Sequence, residues 1–263
     1  MDITTLIGIL IGFGSLALGF WEEGGSFGML VVISAFIIVF GGTLGATILS
    51  FNLEDLKKVP YFLKLIFKDK KVNYIEVLES LVDTADKARR EGLLSLESQL
   101  ATIDNKFLAR GLQMVIDGTD PELTRSMLEM EMEAFESGER VGTEIFMTAG
   151  GFGPTMGIIG TVMGMVMVLS NLSNPDELGA SIAVAFLATL YGISSANLLW
   201  IPFGTKIKVK TAKEVLLMEM VTEGILSIQA GENPRVIKEK LMTFLPLETR
   251  EKVVAQERAQ MGM

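Results

Sequence analysis

The sequence contains no cysteine and no histidine among its 263 residues. These absences exclude disulfide bonds, metal sites built from cysteine or histidine, haem ligation, and catalysis by either side chain. The formal net charge is −9, and no basic patch stands clear of acidic neighbours. Because nucleic-acid binding requires such a patch, the composition argues against a nucleic-acid partner.

Charged residues are also missing from long parts of the chain. All 23 Lys and Arg residues lie in two blocks, residues 57–140 and 206–258. Four apolar stretches contain no Asp, Glu, Lys or Arg: residues 3–21, 27–51, 145–175 and 178–205. A helix that crosses the hydrocarbon core of a membrane needs roughly 20 residues. The sequence therefore predicts four transmembrane helices, and four such stretches argue against one large soluble core.

The basic residues predict the orientation of these helices. The connectors at residues 22–26 and 173–177 carry only acidic charges, whereas the middle segment and the C-terminal tail carry every basic residue. Lys and Arg are enriched on the cytoplasmic side of membrane proteins. We therefore expect the connectors to lie outside and both termini to lie in the cytoplasm. Residues 1–10 contain no basic residue, so no cleaved signal peptide is expected.

The expected fold class is an all-α polytopic membrane protein with a helical cytoplasmic domain. Its expected parts are transmembrane helices 1 and 2 (1–51), a cytoplasmic domain (52–144), transmembrane helices 3 and 4 (145–205), and a cytoplasmic tail (206–263). Apolar residues recur at helical spacing over residues 74–100. Asp120, Pro121 and Glu122 predict a helix start, because they supply a capping acid and a proline at the first helical position.

The four apolar stretches offer hydroxyl and amide groups but no acid or base. Proton relays and ion pumps usually carry ionisable groups within the membrane. If the chain conducts cations, the carboxylate must come from a partner chain. The sequence also shows no nucleophile with a base, no phosphate loop and no metal cluster, so an enzyme is not expected.

Glycines and prolines mark the third and fourth stretches. Small residues in GxxxG pairs let helix backbones approach closely in lipid, either between copies of the chain or within one chain. The pairs here are Gly153 with Gly157 and Gly160 with Gly164. Pro154 and Pro202 fall at the same membrane depth. Each removes a helical hydrogen bond, so they are either hinges or simple helix ends.

Three motifs resemble the A subunits of bacterial flagellar stators, the MotA/PomA family. They are residues 151–164 (GFGPTMGIIGTVMG), 183–192 (AVAFLATLYG) and 88–97 (ARREGLLSLE). The order of two helices, a cytoplasmic segment and two more helices is also similar, and the likeness covers nearly the whole chain. The related ExbB/TolQ proteins look similar in the membrane motifs but have three membrane helices.

The resemblance implies an inner-membrane stator subunit that couples inward cation flow to torque on the flagellar rotor. It implies a homo-oligomeric ring, a pentamer, around two copies of a single-span B subunit that carries a membrane aspartate. No cofactor is implied, and the transported cation would be H⁺, with Na⁺ as the alternative. The other expected partners are membrane lipids and the rotor protein FliG.

Residue roles follow only from this resemblance. Thr161 and Thr189 match hydroxyls along the cation route, and Pro154 and Pro202 match two prolines implicated in coupling. The charged pair that engages FliG matches Glu97 with Arg89 or Arg90, and the spacing to Glu97 favours Arg89. Without the resemblance, each threonine could simply bond a helical carbonyl, and the charges could belong to a solvated face.

Two other functions remain open from the sequence. One is an ExbB/TolQ-type energiser of outer-membrane processes, against which the four-helix order and residues 88–97 argue. The other is a non-conducting membrane scaffold, which the uncharged helices permit. Rotation direction, stoichiometry and the choice between proton and sodium do not follow from the chain itself.

Overall fold

The computed structural model describes residues 2–69, 73–100, 103, 105–172 and 175–260. All regular structure within these residues is helical, which confirms the all-α class. The first half contains α1 (Ile3–Glu22), α2 (Ile33–Phe36), α3 (Gly42–Ser50), α4 (Leu53–Leu56), α5 (Val59–Phe67), α6 (Tyr74–Glu91), α7 (Glu97–Leu100) and α8 (Lys106–Ile116). The second half contains α9 (Pro121–Ser170), α10 (Pro175–Ser195), α11 (Ile201–Gln229), α12 (Pro234–Leu241) and α13 (Leu247–Gln260).

Shorter helical turns join several of these elements. The 3₁₀ turns are Phe27–Leu30, Leu93–Leu96 and Met242–Phe244, and the π-helical turns are Ile37–Gly41 and Ala196–Trp200. Four helical stretches are long and apolar enough to cross a membrane. They are Ile3–Glu22, Phe27–Ser50, and parts of Pro121–Ser170 and Leu178–Gln229. The four predicted membrane helices are therefore present, although the third and fourth continue into charged segments.

The chain forms two compact units. Unit 1 comprises Met1–Lys70 and Gly138–Lys210, and unit 2 comprises Lys71–Ser137 and Thr211–Met263. Helices α9 and α11 contribute residues to both units. Unit 1 contains the four apolar stretches, together with α4 and α5 from the charged middle segment. The assignment of membrane and cytoplasmic domains to these segments stays a prediction.

Unit 1 is held together by small clusters, and much of its apolar surface is left uncovered. Helix α1 has no buried residue. The second span buries a single stripe at every fourth position, Ala35, Val39, Thr43 and Thr47. This span is interrupted after the first 3₁₀ turn, where the hydroxyl of Tyr191 donates to Leu30 O and accepts from Val32 N at 3.0 Å. Large exposed apolar surfaces are typical of sites that face a membrane or another protein.

Unit 2 has a conventional buried core. Its fully buried side chains include Leu78, Leu81, Leu96, Leu112, Leu128, Met220 and Ile225. Side chains of Asn73, Asn105 and Asn233 cap the first turns of α6, α8 and α12 by accepting backbone N–H groups. Because its core is apolar and its helices are capped within the chain, unit 2 resembles a small soluble helical domain.

Helix α9 begins at the start signal seen in the sequence. Asp120 Oδ1 accepts the backbone N–H of Glu122 at 2.9 Å, and Pro121 occupies the first helical position. This helix then runs without a break through Pro154 to Ser170. The predicted cytoplasmic helix and the predicted third membrane helix are therefore one continuous element.

Candidate functional site

Thr161 and Thr189 meet between two membrane helices. Thr161 lies on α9 and Thr189 on α10, and their hydroxyl groups are hydrogen-bonded to each other. Thr161 Oγ1 also lies 3.0 Å from Ala185 O and 3.1 Å from Gly157 O. Four oxygen atoms therefore converge within stretches that contain no charge. Such a cluster can bond water or contact a hard cation, since hard cations prefer oxygen ligands.

Glycines allow α9 and α10 to approach closely at this cluster. A methyl group placed at any of four α9 glycines would lie 2.5–3.0 Å from an atom of α10. These glycines are Gly153, Gly157, Gly160 and Gly164. All four glycines therefore pack α9 against α10 within one chain, which is the alternative to packing between copies of the chain. Because the glycine surface of α9 is covered by α10 of the same chain, it does not support a homo-oligomer.

Pro154 and Pro202 lie where α9 packs against α11. A methyl group at Gly150, one turn before Pro154, would lie 2.6 Å from Ile201 Cγ1. Pro202 follows the π-helical turn Ala196–Trp200. A proline donates no backbone hydrogen bond, and π turns interrupt the regular helical pattern. Both α9 and α11 therefore have weakened backbone hydrogen bonding where they pack against each other.

Asp2 is a buried carboxylate that the sequence did not single out. Its oxygens lie 2.8 Å from Lys206 Nζ and 3.0 Å from Lys210 Nζ, and it accepts a hydrogen bond from Thr4. Burial alone would raise the pKa of this carboxyl, but hydrogen bonds from Lys206, Thr4 and Lys210 hold the pKa far below the ordinary 3.8. Asp2 is therefore ionised at neutral pH and unsuited to carrying a proton.

Lys210 also fixes the end of α5. Its ammonium group donates to Leu65 O at 2.8 Å, to Ile66 O at 3.1 Å and to Lys68 O at 2.8 Å. The backbone N–H of Asp2 donates to Phe67 O at 2.8 Å. Together these bonds join α1, α5 and α11. In the sequence, the only trace of this arrangement is two lysines four residues apart on α11 and one acid before α1.

The charged residues expected at a rotor contact lie on the surface of unit 2. Arg89 and Arg90 lie in the last turn of α6, and Glu97 begins α7; all three are exposed. Gly92 turns the chain between them with a φ of 86°, which L side chains rarely adopt. Arg90 pairs with Asp86 one turn earlier. Arg89 and Glu97 form no ion pair with any residue that the structure describes.

Glu97 borders an open cleft of about 490 Å³, lined also by Lys87, Glu91, Leu94, Ser95 and Ser98. Charges of both signs line this cleft, so a partner can bring either sign to it. Within the described residues, no three acidic side chains lie close enough to form a candidate metal site. The charged side chains of this cleft can therefore form exposed, reversible ion pairs with a partner.

Comparison with known proteins gives a consistent result. Residues 99–220 match the MotA/TolQ/ExbB proton channel family, and residues 6–92 match the family described as Motility protein A N-terminal. Motility protein A of Bacillus subtilis strain 168 is 41% identical over 100% of this chain and 97% of its own length. Chemotaxis protein PomA of Vibrio alginolyticus is 33% identical over 93% of this chain and 96% of its own length.

Solved structures agree with these relatives. The flagellar MotAB stator complex of Bacillus subtilis matches with a TM-score of 0.91 and 40% identity, covering 96% of this chain and 99% of the matched chain. The C. jejuni MotAB structure matches with a TM-score of 0.90 and 34% identity, covering 94% and 97%. The chain therefore belongs to the MotA/TolQ/ExbB proton channel family.

Proposed function

We propose that this chain is the ion-conducting A-type subunit of a bacterial flagellar stator in the inner membrane. The observation that carries the proposal is the TM-score of 0.91 to a MotAB stator complex over 96% of the chain. The match of residues 6–92 to Motility protein A N-terminal favours a stator over an ExbB/TolQ-type energiser. The channel family argues against a non-conducting scaffold and against an enzyme.

The ion step is proposed at the Thr161–Thr189 cluster. No acid or base lies within the four apolar stretches, so a B-type subunit must bring the carboxylate. A cation that neutralises this carboxylate lowers the cost of holding it in a medium of low dielectric constant. The hydroxyls of Thr161 and Thr189 then stabilise the cation, or the water that carries it, until it is released inward.

The assembly is proposed as a pentamer of this chain around two B-type subunits. Support comes from the similarity to MotAB complexes and from the uncovered apolar surface of unit 1, including all of α1. We place both termini and unit 2 in the cytoplasm, because every basic residue lies in residues 57–140 and 206–258 and none lies in the two acidic connectors. Pro154 and Pro202 are proposed as hinges at which ion occupancy alters helix packing.

Torque transfer is proposed at Arg89 and Glu97 through the rotor protein FliG. One elementary charge that crosses 100 mV supplies about 2.3 kcal/mol. An exposed ion pair contributes about 0–1 kcal/mol. Each ion can therefore make and break a few such contacts, whereas a buried pair worth several kcal/mol would stall the cycle. The exposure of Arg89 and Glu97 suits this requirement.

The transported ion is proposed to be the proton, in line with the proton channel family. Sodium is the second candidate, and the four oxygen atoms of the Thr161–Thr189 cluster favour it, because they could supply part of a cation's ligand shell. The two candidates differ in one measurable respect. At a fixed membrane potential, proton-driven torque does not change when sodium is removed, whereas sodium-driven torque disappears.

The test is Thr189→Val, measured as torque per stator on tethered cells with and without sodium. Loss of the hydroxyl should lower the rate of the ion step about tenfold, which corresponds to about 1.4 kcal/mol in the barrier. The matched control is Thr47→Val, since Thr47 is a buried membrane threonine whose hydroxyl donates within its own helix, to Thr43 O at 2.7 Å. Equal torque for Thr189→Val and wild type would refute the ion-path assignment.

A further inference from the structure

Helix α5 presents a basic face on the surface of unit 1. Residues 56–68 contain four lysines and no Asp or Glu. Lys64 lies within α5, whereas Lys57 precedes its first residue by two positions and Lys68 directly follows its last residue. Lys57 and Lys58 keep helical backbone angles, so spacings of seven and four residues place the three lysines on about the same side. All three side chains are exposed. None of them forms an ion pair with a described residue, whereas Lys58 pairs with Asp55 at 3.2 Å.

The opposite face of α5 fixes the depth at which this basic face lies. Phe62 and Ile66 are buried against Phe146 of α9 and Phe203 of α11. Phe146 and Phe203 are close to the ends of the charge-free stretches, residues 145–175 and 178–205. The first charged residues beyond those ends are Glu144 and Lys206. Helix α5 therefore packs where the hydrocarbon core gives way to the headgroup region on the side of the basic segments.

The helix is held firmly in this position. Lys210 donates to Leu65 O, Ile66 O and Lys68 O at the end of α5, and the N–H of Asp2 donates to Phe67 O. Lys210 is itself paired with the Asp2 carboxylate. These bonds use the C-terminal carbonyl groups of α5 and leave the Lys64 and Lys68 ammonium groups exposed. The basic face is thus preorganised rather than formed on binding.

We propose that Lys57, Lys64 and Lys68 bind the phosphate headgroups of anionic phospholipids in the cytoplasmic leaflet. Three features select this occupant. They are three positive charges without an ion-pair partner among the described residues, the headgroup depth of α5, and the exposed ring of Tyr61, whose hydroxyl donates to Glu139 at 2.7 Å. This combination is typical of interfacial helices. Each lysine near an anionic surface strengthens binding about fivefold, and three together about a hundredfold. The proposal rests on the membrane orientation proposed above, and it assigns to α5 the lipid contact expected of a stator subunit.

The test uses the full complex of this chain with its B-type subunit, purified in detergent and examined by native mass spectrometry. Dioleoyl phosphatidylglycerol and dioleoyl phosphatidylcholine are titrated separately. The variant combines Lys57→Gln, Lys64→Gln and Lys68→Gln. Its apparent affinity for phosphatidylglycerol should fall about a hundredfold, while binding of phosphatidylcholine stays at the wild-type level.

The matched control removes three exposed positive charges from unit 2, by Lys106→Gln, Lys213→Gln and Arg235→Gln. It should bind phosphatidylglycerol as the wild type does. A triple α5 variant with wild-type affinity for phosphatidylglycerol overturns the proposal. An equal loss in the control also overturns it, because net charge and not a site would then govern binding.

Further variants cover the case in which the triple variant does not assemble. The single change Lys64→Gln should lower the affinity about fivefold, and replacement of all three lysines by arginine should preserve it. A loss of oligomeric mass in lipid-free detergent would assign the basic face to a contact between copies of the chain and overturn the proposal. None of these measurements depends on torque. Lipid binding by α5 and the proposed motor function can therefore fail independently of each other.

Discussion

Asp2 carries a buried negative charge that joins three helices of unit 1. Lys206 and Lys210 surround it, and its pKa lies far below the ordinary value of 3.8. A carboxyl with a lowered folded-state pKa stabilises the folded state above its unfolded pKa. That contribution is lost as the pH falls below about 4. The Asp2 charge therefore stabilises unit 1 throughout the neutral range.

We expect Asp2→Asn to lower the thermal unfolding temperature of the purified complex at pH 7. The difference from wild type should be constant between about pH 8 and pH 5. It should shrink below about pH 4, because the unfolded wild-type chain then takes up a proton at Asp2 while the folded chain is still ionised. Differential scanning fluorimetry over this range measures it. Asp69→Asn is the control, since Asp69 is exposed. A difference that widens on acidification would contradict the assigned role of the charge.

Arg89 and Arg90 are neighbours with different surroundings. Arg90 pairs with Asp86 along α6, whereas Arg89 has no ion-pair partner within the described residues. An arginine already paired within its own helix has less free charge to offer a rotor. This difference is a reason to propose Arg89 for the rotor contact, and the motif alone does not reveal it.

We expect the charge reversal Arg89→Glu to abolish or strongly reduce swimming on soft agar, and Arg90→Glu to have the smaller effect. The reason is that Arg90 is paired with Asp86, whereas Arg89 forms no ion pair with a described residue. A compensating charge reversal on the rotor protein should restore swimming to the Arg89 variant. Assembly is checked by the amount of complex in the membrane. Full motility of Arg89→Glu in an otherwise wild-type cell would remove the rotor assignment.

The contact between α9 and α10 depends on glycine along its whole length. A methyl group at Gly164 would lie 2.7 Å from Ala185 Cβ and 2.9 Å from Ala185 Cα. The backbone of α10 cannot yield as a flexible side chain could. The spacing of the glycines therefore determines how closely the two threonine hydroxyls approach.

Gly164→Ala should destabilise the complex by about 1–3 kcal/mol, the usual cost of overpacking a close contact. Gly151→Ala is its control, because a methyl group at Gly151 meets no atom within 4 Å. The control should be neutral or slightly stabilising, since alanine favours a helix over glycine by about 0.5–1 kcal/mol. Thermal unfolding in detergent measures both variants, and equal unfolding temperatures for the two would argue against the close contact.

The second membrane span is less regular than its sequence suggests. Residues 27–51 form one apolar stretch, but the structure divides it into a 3₁₀ turn, α2, a π-helical turn and α3. The hydroxyl of Tyr191 bonds backbone groups of Leu30 and Val32 where the span is interrupted. Hydropathy detects that this segment is apolar, but it contains no information about a side chain 159 residues away that satisfies the backbone.

The whole molecule presents large apolar surfaces in unit 1 and a conventional core in unit 2. Exposed apolar side chains on the third span include Ile158, Val162, Met163 and Val166. These surfaces suit a ring of subunits in a bilayer. Because the chain has no native cysteine, single cysteines can report its orientation without background.

We expect Ser26→Cys to react with a membrane-impermeant maleimide added to spheroplasts, and Ser126→Cys to react only after lysis. Both serines are exposed, and they lie in a connector predicted to be outside and in a segment predicted to be cytoplasmic. Gel shift of the labelled protein provides the measurement. The reverse pattern would invert the proposed topology without affecting the packing of either unit.

The sequence alone determined the number of membrane helices, the helical class and the start of α9. These follow from local properties, since hydropathy and charge are read within about 20 residues. The tertiary structure decided which groups meet. It joined Asp2 to Lys206 across 204 positions, brought Thr161 to Thr189, and used the glycines within one chain. Such contacts depend on how distant helices pack, and no short window of sequence contains that information.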